Sequence, residues 1–149
     1  MLKRLFATEN DVSALVLRIF LAVVFFPHGA QKVLGWFGGR GLQATLDTFA
    51  VHMHIPPALA ILAIAAEFLG PIGLVLGLLT RVAAFGIAFS MGVAIVLVHF
   101  KFGFFMNWFG KQAGEGFEYH LLVIAIGLAL MIKGGGLWSI DRVLSKGDK

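Results

Sequence analysis

Cysteine is absent from this chain of 149 residues, and charged residues are scarce. The absence of cysteine excludes disulfides, thiol redox relays, iron–sulfur clusters and cysteine-ligated zinc. Soluble domains carry roughly 25% charged residues, whereas this chain has 13% charged and 59% hydrophobic residues. Such a composition cannot cover a water-facing surface with polar groups. The sequence therefore predicts an integral membrane protein.

Four apolar stretches are long enough to cross a bilayer, which takes roughly 20 mostly apolar residues. They cover approximately residues 12–34, 57–79, 82–99 and 118–133. Thr80 and Arg81 are read as a very short turn, which makes the second and third helices antiparallel neighbours. The sequence thus predicts an all-α fold, in which residues 1–149 form one domain: a bundle of four transmembrane helices.

The two longer loops are patterned as well. The segment 42–54 places apolar residues at helical spacing and Gln43 and Asp47 on the other side. This predicts a short amphipathic helix in the first outer loop, which lies on the membrane or caps the bundle. The loop 100–117 is rich in glycine and aromatic residues, including Trp108. It is typical of an interfacial aromatic belt, and alternatively of a lid or platform over an apolar ring-shaped ligand.

Lysine and arginine in the short flanks of the spans predict the orientation. One side of the bundle carries Lys3, Arg4, Arg81, Lys133, Arg142, Lys146 and Lys149, and the other carries Lys32, Arg40, Lys101 and Lys111. The richer side is predicted to be cytoplasmic, so that both termini lie inside and the two longer loops lie outside. Because the basic residues form no stripe or cluster, nucleic acid is not a predicted partner.

Two ionisable residues lie well inside the predicted spans. Such groups cost about 2.5–3.5 kcal/mol on insertion scales and usually pair inside the bundle. Glu67 lies near the middle of the second span, and Pro71 has no N–H to bond the Glu67 carbonyl. Glu67 is therefore either structural, as a carboxylate paired with Arg18 or as a protonated carboxyl that donates to a neighbour, or it is a proton acceptor or ligand anchor. Arg18 needs a carboxylate or several carbonyls, and a structural pairing is predicted for it.

Further polar residues fall in the outer half. His28, Gln31 and Lys32 are spaced so that they share one helix face, and His99 ends the third span. This brings an imidazole, an amide and an ammonium to one side near the outer surface. A polar pocket that opens outward and narrows toward Glu67 is the simplest arrangement of these groups.

Glu118 and His120 open the fourth span on the same outer side. Side chains two residues apart on a helix point about 200° apart, so Glu118 and His120 cannot both face one ligand. This spacing argues against a ready-made metal motif. Histidines from different helices could still hold haem or a metal. The same set could bind and protonate a quinone, and the residues alone do not separate these readings.

Three motifs carry a family resemblance. They are residues 27–39 (PHGAQKVLGWFGG), residues 66–70 (AEFLG) with 77–81 (GLLTR), and residues 116–122 (GFEYHLL) with 137–141 (LWSID). In this order and over nearly the whole chain, they resemble the DoxX family of small bacterial membrane proteins. Residues 134–136 are three glycines, where the family typically has glycine-proline-glycine.

The resemblance implies a four-helix bacterial inner-membrane protein linked to quinol oxidation, thiosulfate:quinone oxidoreduction, detoxification of quinones and catechols, or oxidative-stress complexes. It also extends to the helical bundle of vitamin K epoxide reductase, whose thiol mechanism the missing cysteines exclude here. Together with the residues, it predicts a protein associated with an oxidoreductase, either as an enzyme or as a subunit of one. The ligand would be a quinone or a similar apolar aromatic molecule.

In this hypothesis Glu67 accepts or relays a proton, and His28 or His120 hydrogen-bonds a carbonyl oxygen of the ligand. The expected binding residues are Gln31, Lys32, His99, Trp108 and Glu118. The alternatives are a haem- or metal-binding protein, a small-molecule transporter with Glu67 as its coupling carboxylate, and a structural subunit. The expected partners are the lipid bilayer, the aromatic ligand, and a second copy of the chain or a redox protein.

Overall fold

The computed structural model describes residues 5–146, so the predicted flank charges Lys3, Arg4 and Lys149 lie outside the described residues. The long helices are α1 (Val12–Val33), α3 (Pro57–Leu76), α4 (Thr80–Ala94) and α5 (Glu118–Lys133), and the shorter ones are α2 (Gly41–Val51) and α6 (Ile140–Lys146). A π-helical turn, Ile95–His99, and a 3-10 turn, Phe100–Phe102, continue α4 without a break. The described residues contain no β-strand.

Three of these helices are long and apolar enough to cross a membrane. They are Val12–Val33, Pro57–Leu76 and the continuous helix Thr80–Phe102. The all-helical fold and the presence of transmembrane helices are therefore confirmed. Helix α5 has 16 residues, which is about 24 Å at 1.5 Å per residue. The count of four spans stays a prediction.

The long helices pack in a ring: α1 on α3, α3 on α4, α4 on α5, and α5 back on α1. Glycines lie where they cross. A Cβ built on Gly86 would come within 2.9 Å of the Ala66 side chain, and one on Gly127 within 2.9 Å of the Ala88 side chain. Because the hydrophobic effect does not hold helices together in lipid, such close backbone packing takes its place.

The turn between α3 and α4 lies at Gly77–Leu79, so the prediction of a turn at Thr80-Arg81 is wrong. Gly77 ends α3 in the left-handed conformation, with φ of 61°. The Asp141 carboxylate then accepts hydrogen bonds from the Leu79 amide at 2.7 Å and the Thr80 amide at 2.9 Å. An acid from the far end of the chain thus caps α4, which begins two residues before the predicted start.

Asp11 and Lys133 join the start of α1 to the end of α5. The Asp11 carboxylate caps α1 by accepting from the Ser13 amide at 2.7 Å, and it forms an ion pair with Lys133. The hydrogen bond from Lys133 holds the pKa of the Asp11 carboxyl well below its usual range. We call this the terminal end of the bundle. The opposite end, with α2 and residues 103–117, is the loop end.

Candidate functional site

An ion pair between Glu67 and Lys32 forms the centre of the candidate site. Glu67 lies halfway along α3 with 6% of its surface exposed. The Lys32 ammonium, from the last turn of α1, donates to its Oε2. The Lys32 side chain is 28% exposed, so it reaches inward from a more open position. Glu67 is therefore paired, but its partner is Lys32, and the predicted alternative of a pair with Arg18 is wrong.

Gly29 explains how α1 comes close enough for this pair. A Cβ built on Gly29 would lie 2.2 Å from the Glu67 carbonyl oxygen, so only glycine fits at this crossing. Pro71, one turn further along α3, supplies no N–H to that carbonyl. Helix α2 covers the loop end of the crossing, where the Thr45 hydroxyl donates to the Lys32 carbonyl at 3.2 Å.

Arg18 has a separate position at the terminal end of the bundle. It is 1% exposed and donates to four backbone carbonyls, which are Leu74 and Val75 at 2.7 Å, Leu137 at 2.9 Å and Trp138 at 2.6 Å. Two of these are among the last four carbonyls of α3, which lack the N–H four residues further on that a helix interior supplies. The prediction that a buried Arg18 needs several carbonyls as partners is confirmed, and its structural role stays a prediction.

His99 and His120 are in contact at the loop end. Their ring centroids are 4.1 Å apart. His99 Nδ1 lies 2.9 Å from the Glu115 carbonyl oxygen. A carbonyl only accepts, so Nδ1 is the donor, and Nε2 of a neutral His99 is left as an acceptor. His120 is 6% exposed, and its Nδ1 is buried with no hydrogen-bond partner in residues 5–146.

Tyr119 is a candidate that the sequence reasoning missed. Its hydroxyl is buried without a hydrogen-bond partner in the described part of the chain. Two sequence signals pointed to it, since it is the only tyrosine of the chain and it stands between Glu118 and His120.

The predicted cluster of His28, Gln31 and Lys32 is divided in the structure. His28 is exposed, and its ring lies 6.1 Å from that of Phe25. Gln31 Nε2 donates to the Phe37 carbonyl at 3.1 Å and so holds the loop after α1. Of the three, Lys32 alone reaches Glu67, because its longer side chain can turn into the bundle.

Glu118 and Trp108 belong to the segment between α4 and α5. Glu118 Oε1 accepts from the Met106 amide at 2.8 Å, while His120 is buried in the bundle. The two side chains point apart, as their spacing on the helix predicts. Trp108 is 79% exposed, which suits both an interfacial belt and an open lid.

Of the three histidines proposed for haem or a metal, two are in contact. His99 and His120 are together, whereas His28 is on the exposed side of α1. Between residues 5 and 146 no three or more His, Asp or Glu side chains are arranged to hold a metal ion.

Comparison with known proteins identifies the family. Residues 13–100, which include all but the first residue of α1, the whole of α3, and the crossing of Gly29 with Glu67, match the DoxX family. The chain belongs to the DoxX family. The match ends before α5, so Tyr119 and His120 of this DoxX protein lie outside it.

Relatives cover nearly the whole DoxX chain. The inner membrane protein YqjF of Escherichia coli is 31% identical over 137 residues, 92% of this chain and 95% of that protein. The protein named "Putative oxidoreductase CatD" in Bacillus subtilis is 29% identical over 139 residues, 93% of this chain and 92% of that protein. The inner membrane protein YphA of Escherichia coli is 28% identical over 141 residues, 92% of this chain and 94% of that protein. No solved structure matches the chain.

Proposed function

We propose that this DoxX protein belongs to an oxidoreductase system and binds a quinone, or a similar apolar aromatic molecule, in a polar pocket that opens at the loop end. The observation that carries the proposal is the ion pair between the buried Glu67 carboxylate and the partly exposed Lys32, which joins two helices long and apolar enough to cross the membrane. A relative of similar length, CatD, carries an oxidoreductase in its name.

A carboxylate buried inside the bundle is a poor way to stabilise it, even when a lysine reaches it. Taking the Glu67 charge out of water costs several kcal/mol, and well-packed apolar side chains often serve stability as well or better. An ionisable residue inside a membrane-spanning helix is therefore a functional candidate by default. Three neighbouring observations agree: Gly29 is shaped for this crossing, and both Tyr119 and His120 carry a buried polar atom without a partner in residues 5–146.

These groups match the needs of a quinone. Its carbonyl oxygens accept hydrogen bonds, which Lys32, Tyr119 or His120 can donate. Reduction to the quinol takes two electrons and two protons, and Glu67 is the group proposed to pass protons. His120 fits the role of carbonyl donor better than His28, because His120 is buried and His28 is exposed. The electrons would come from a partner redox protein.

The same proposal places the chain in a bacterial inner membrane with four spans and both termini in the cytoplasm. The Asp11–Lys133 pair supports an even number of spans, because it joins the start of α1 to the end of α5. Helix α2 has no buried residue and would lie on the outer surface. Two relatives are named as inner membrane proteins.

The test is equilibrium binding of menaquinone and ubiquinone analogues to protein purified in mild detergent. We expect saturable binding to the parent chain and at least a tenfold loss in Glu67→Gln, because this change releases the Lys32 ammonium from the position in which it would donate to a quinone carbonyl. A hydrogen bond to a charged group is worth roughly 1.5–3 kcal/mol. Glu9→Gln is the matched control, because Glu9 is exposed at the terminal end and should bind as the parent does. Absence of binding, or equal binding by Glu67→Gln, contradicts the proposal.

A further inference from the structure

A groove of about 450 Å³ runs between α1 and α3 on the outside of the bundle. Its floor is formed by the buried residues Ala22 and Pro71, and its walls include Val23, Ile72 and Val75. These wall residues are 63%, 39% and 52% exposed, so the groove opens sideways toward the lipid. Its volume lies within the range of roughly 300–1,000 Å³ that ligand sites occupy.

The groove lies where each of its two helices contains a proline. Pro27 of α1 and Pro71 of α3 both line it. Each proline removes one backbone hydrogen bond, a change that typically kinks a helix, and the small Ala22 side chain lies at the floor of the groove. The gap is therefore set by the sequences of both helices, and it offers an occupant only apolar contacts.

The groove lies about one helical turn from the candidate site along α3. Pro71 follows Glu67 by one helical turn on the same face of α3, a rise of about 6 Å at 1.5 Å per residue. Phe26, another lining residue, stacks on Phe68, the neighbour of Glu67, with ring centroids 6.2 Å apart. A molecule whose polar head lies at Lys32 and Glu67 would have this groove as the nearest place for an apolar tail.

We infer that the groove holds the first part of the isoprenoid chain of a membrane quinone. This inference rests on the proposed function and names its ligand class: a lipid-soluble, isoprenoid-tailed quinone, in contrast to a small water-soluble quinone or catechol. The segment from Pro71 to Leu76 rises about 7.5 Å, so the groove takes the part of the chain next to the ring. The remainder of the chain lies in the bilayer.

The experiment fills the groove from its exposed wall. Val75→Trp places an indole in it, and Val82→Trp is the matched control, because Val82 is 48% exposed on α4 and does not line the groove. Each variant is tested with a long-chain menaquinone, with the tail-less ring compound menadione, and with geranylgeraniol, which has the chain without the ring. We expect Val75→Trp to weaken menaquinone binding at least tenfold and to leave menadione unaffected, while Val82→Trp binds all three as the parent does.

The outcomes separate this inference from the proposed function. If Val75→Trp binds menaquinone and menadione as well as the parent does, the groove does not bind the isoprenoid chain, and the proposal of quinone binding is unaffected. If the parent binds geranylgeraniol in a Val75-dependent way but binds neither quinone, the groove is an isoprenoid site and the proposed function fails. Equal competition by a straight-chain alcohol of the same length overturns the isoprenoid assignment. Val23→Trp fills the groove from α1 if Val75→Trp does not fold.

Discussion

Lys32, in the last turn of α1, binds the Glu67 carboxylate halfway along α3. The same two helices touch at Gly29 and the backbone of Glu67. The packing of the first two long helices and the charges of the candidate site therefore depend on a single crossing. Changes at this crossing should affect both stability and ligand binding, and the two effects can be measured separately.

The Lys32–Glu67 pair should show strong energetic coupling. Lys32→Met leaves a buried carboxylate without a cation, which should cost about 3–5 kcal/mol. Glu67→Gln leaves an ammonium that is already 28% exposed and can turn toward water, so the expected cost is smaller, about 1–2 kcal/mol. The double variant should be more stable than Lys32→Met alone. Thermal unfolding of the parent, the two single variants and the double variant in one detergent measures this double-mutant cycle. Purely additive losses of stability would show that the two side chains do not interact.

Gly29→Ala should destabilise the protein far more than the same change at an open helical position. The new Cβ would meet the Glu67 carbonyl oxygen at 2.2 Å, and backbone cannot move aside cheaply. We expect a loss of about 1–3 kcal/mol, as overpacking typically gives, together with weaker quinone binding because Lys32 is displaced. Gly92→Ala is the control, because nothing lies within 4 Å of its Cβ position, and it should be neutral or stabilising. Similar unfolding temperatures for the two variants would contradict the close crossing.

The sequence predicted the helices well, because each long helix is an apolar run that local composition reveals. It failed where a partner comes from far along the chain. The sequence around Thr80 contains no signal that Asp141 caps α4, because the two residues are 61 positions apart. The ion pair of Glu67 was missed for a similar reason. Helical spacing put Lys32 on one face with His28, whereas the length of the lysine side chain decides which group it reaches.

Arg18→Leu should detach the C-terminal segment from the bundle. The guanidinium is the donor for carbonyls at both Leu74 and Leu137, so its removal leaves buried acceptors unpaired at the terminal end. A loss of about 3–5 kcal/mol is expected, because several hydrogen bonds to a buried charge are lost together. Limited proteolysis should then cleave at Arg142 faster than in the parent. Arg40→Leu, at an exposed arginine of the loop end, should leave both stability and cleavage unchanged, and equal behaviour of the two variants would refute this role for Arg18.

The absence of cysteine makes the count of spans directly measurable. Gln112→Cys puts one thiol on the exposed segment of the loop end, and Ser145→Cys puts one at the terminal end. If α5 crosses the membrane, a membrane-impermeant maleimide should label the first in intact spheroplasts and the second only after detergent is added. The parent chain, which has no thiol, gives the background.

Helix α5 is the span that this experiment tests, because its length of about 24 Å is less than the roughly 30 Å of a typical hydrocarbon core. Local thinning of the bilayer can accommodate this mismatch at modest cost, and α5 packs along α4, which is part of a longer span. Labelling of both thiols from the same side would mean that α5 does not cross. The reversed pattern would keep four spans and invert the orientation, which would put the candidate site on the cytoplasmic side.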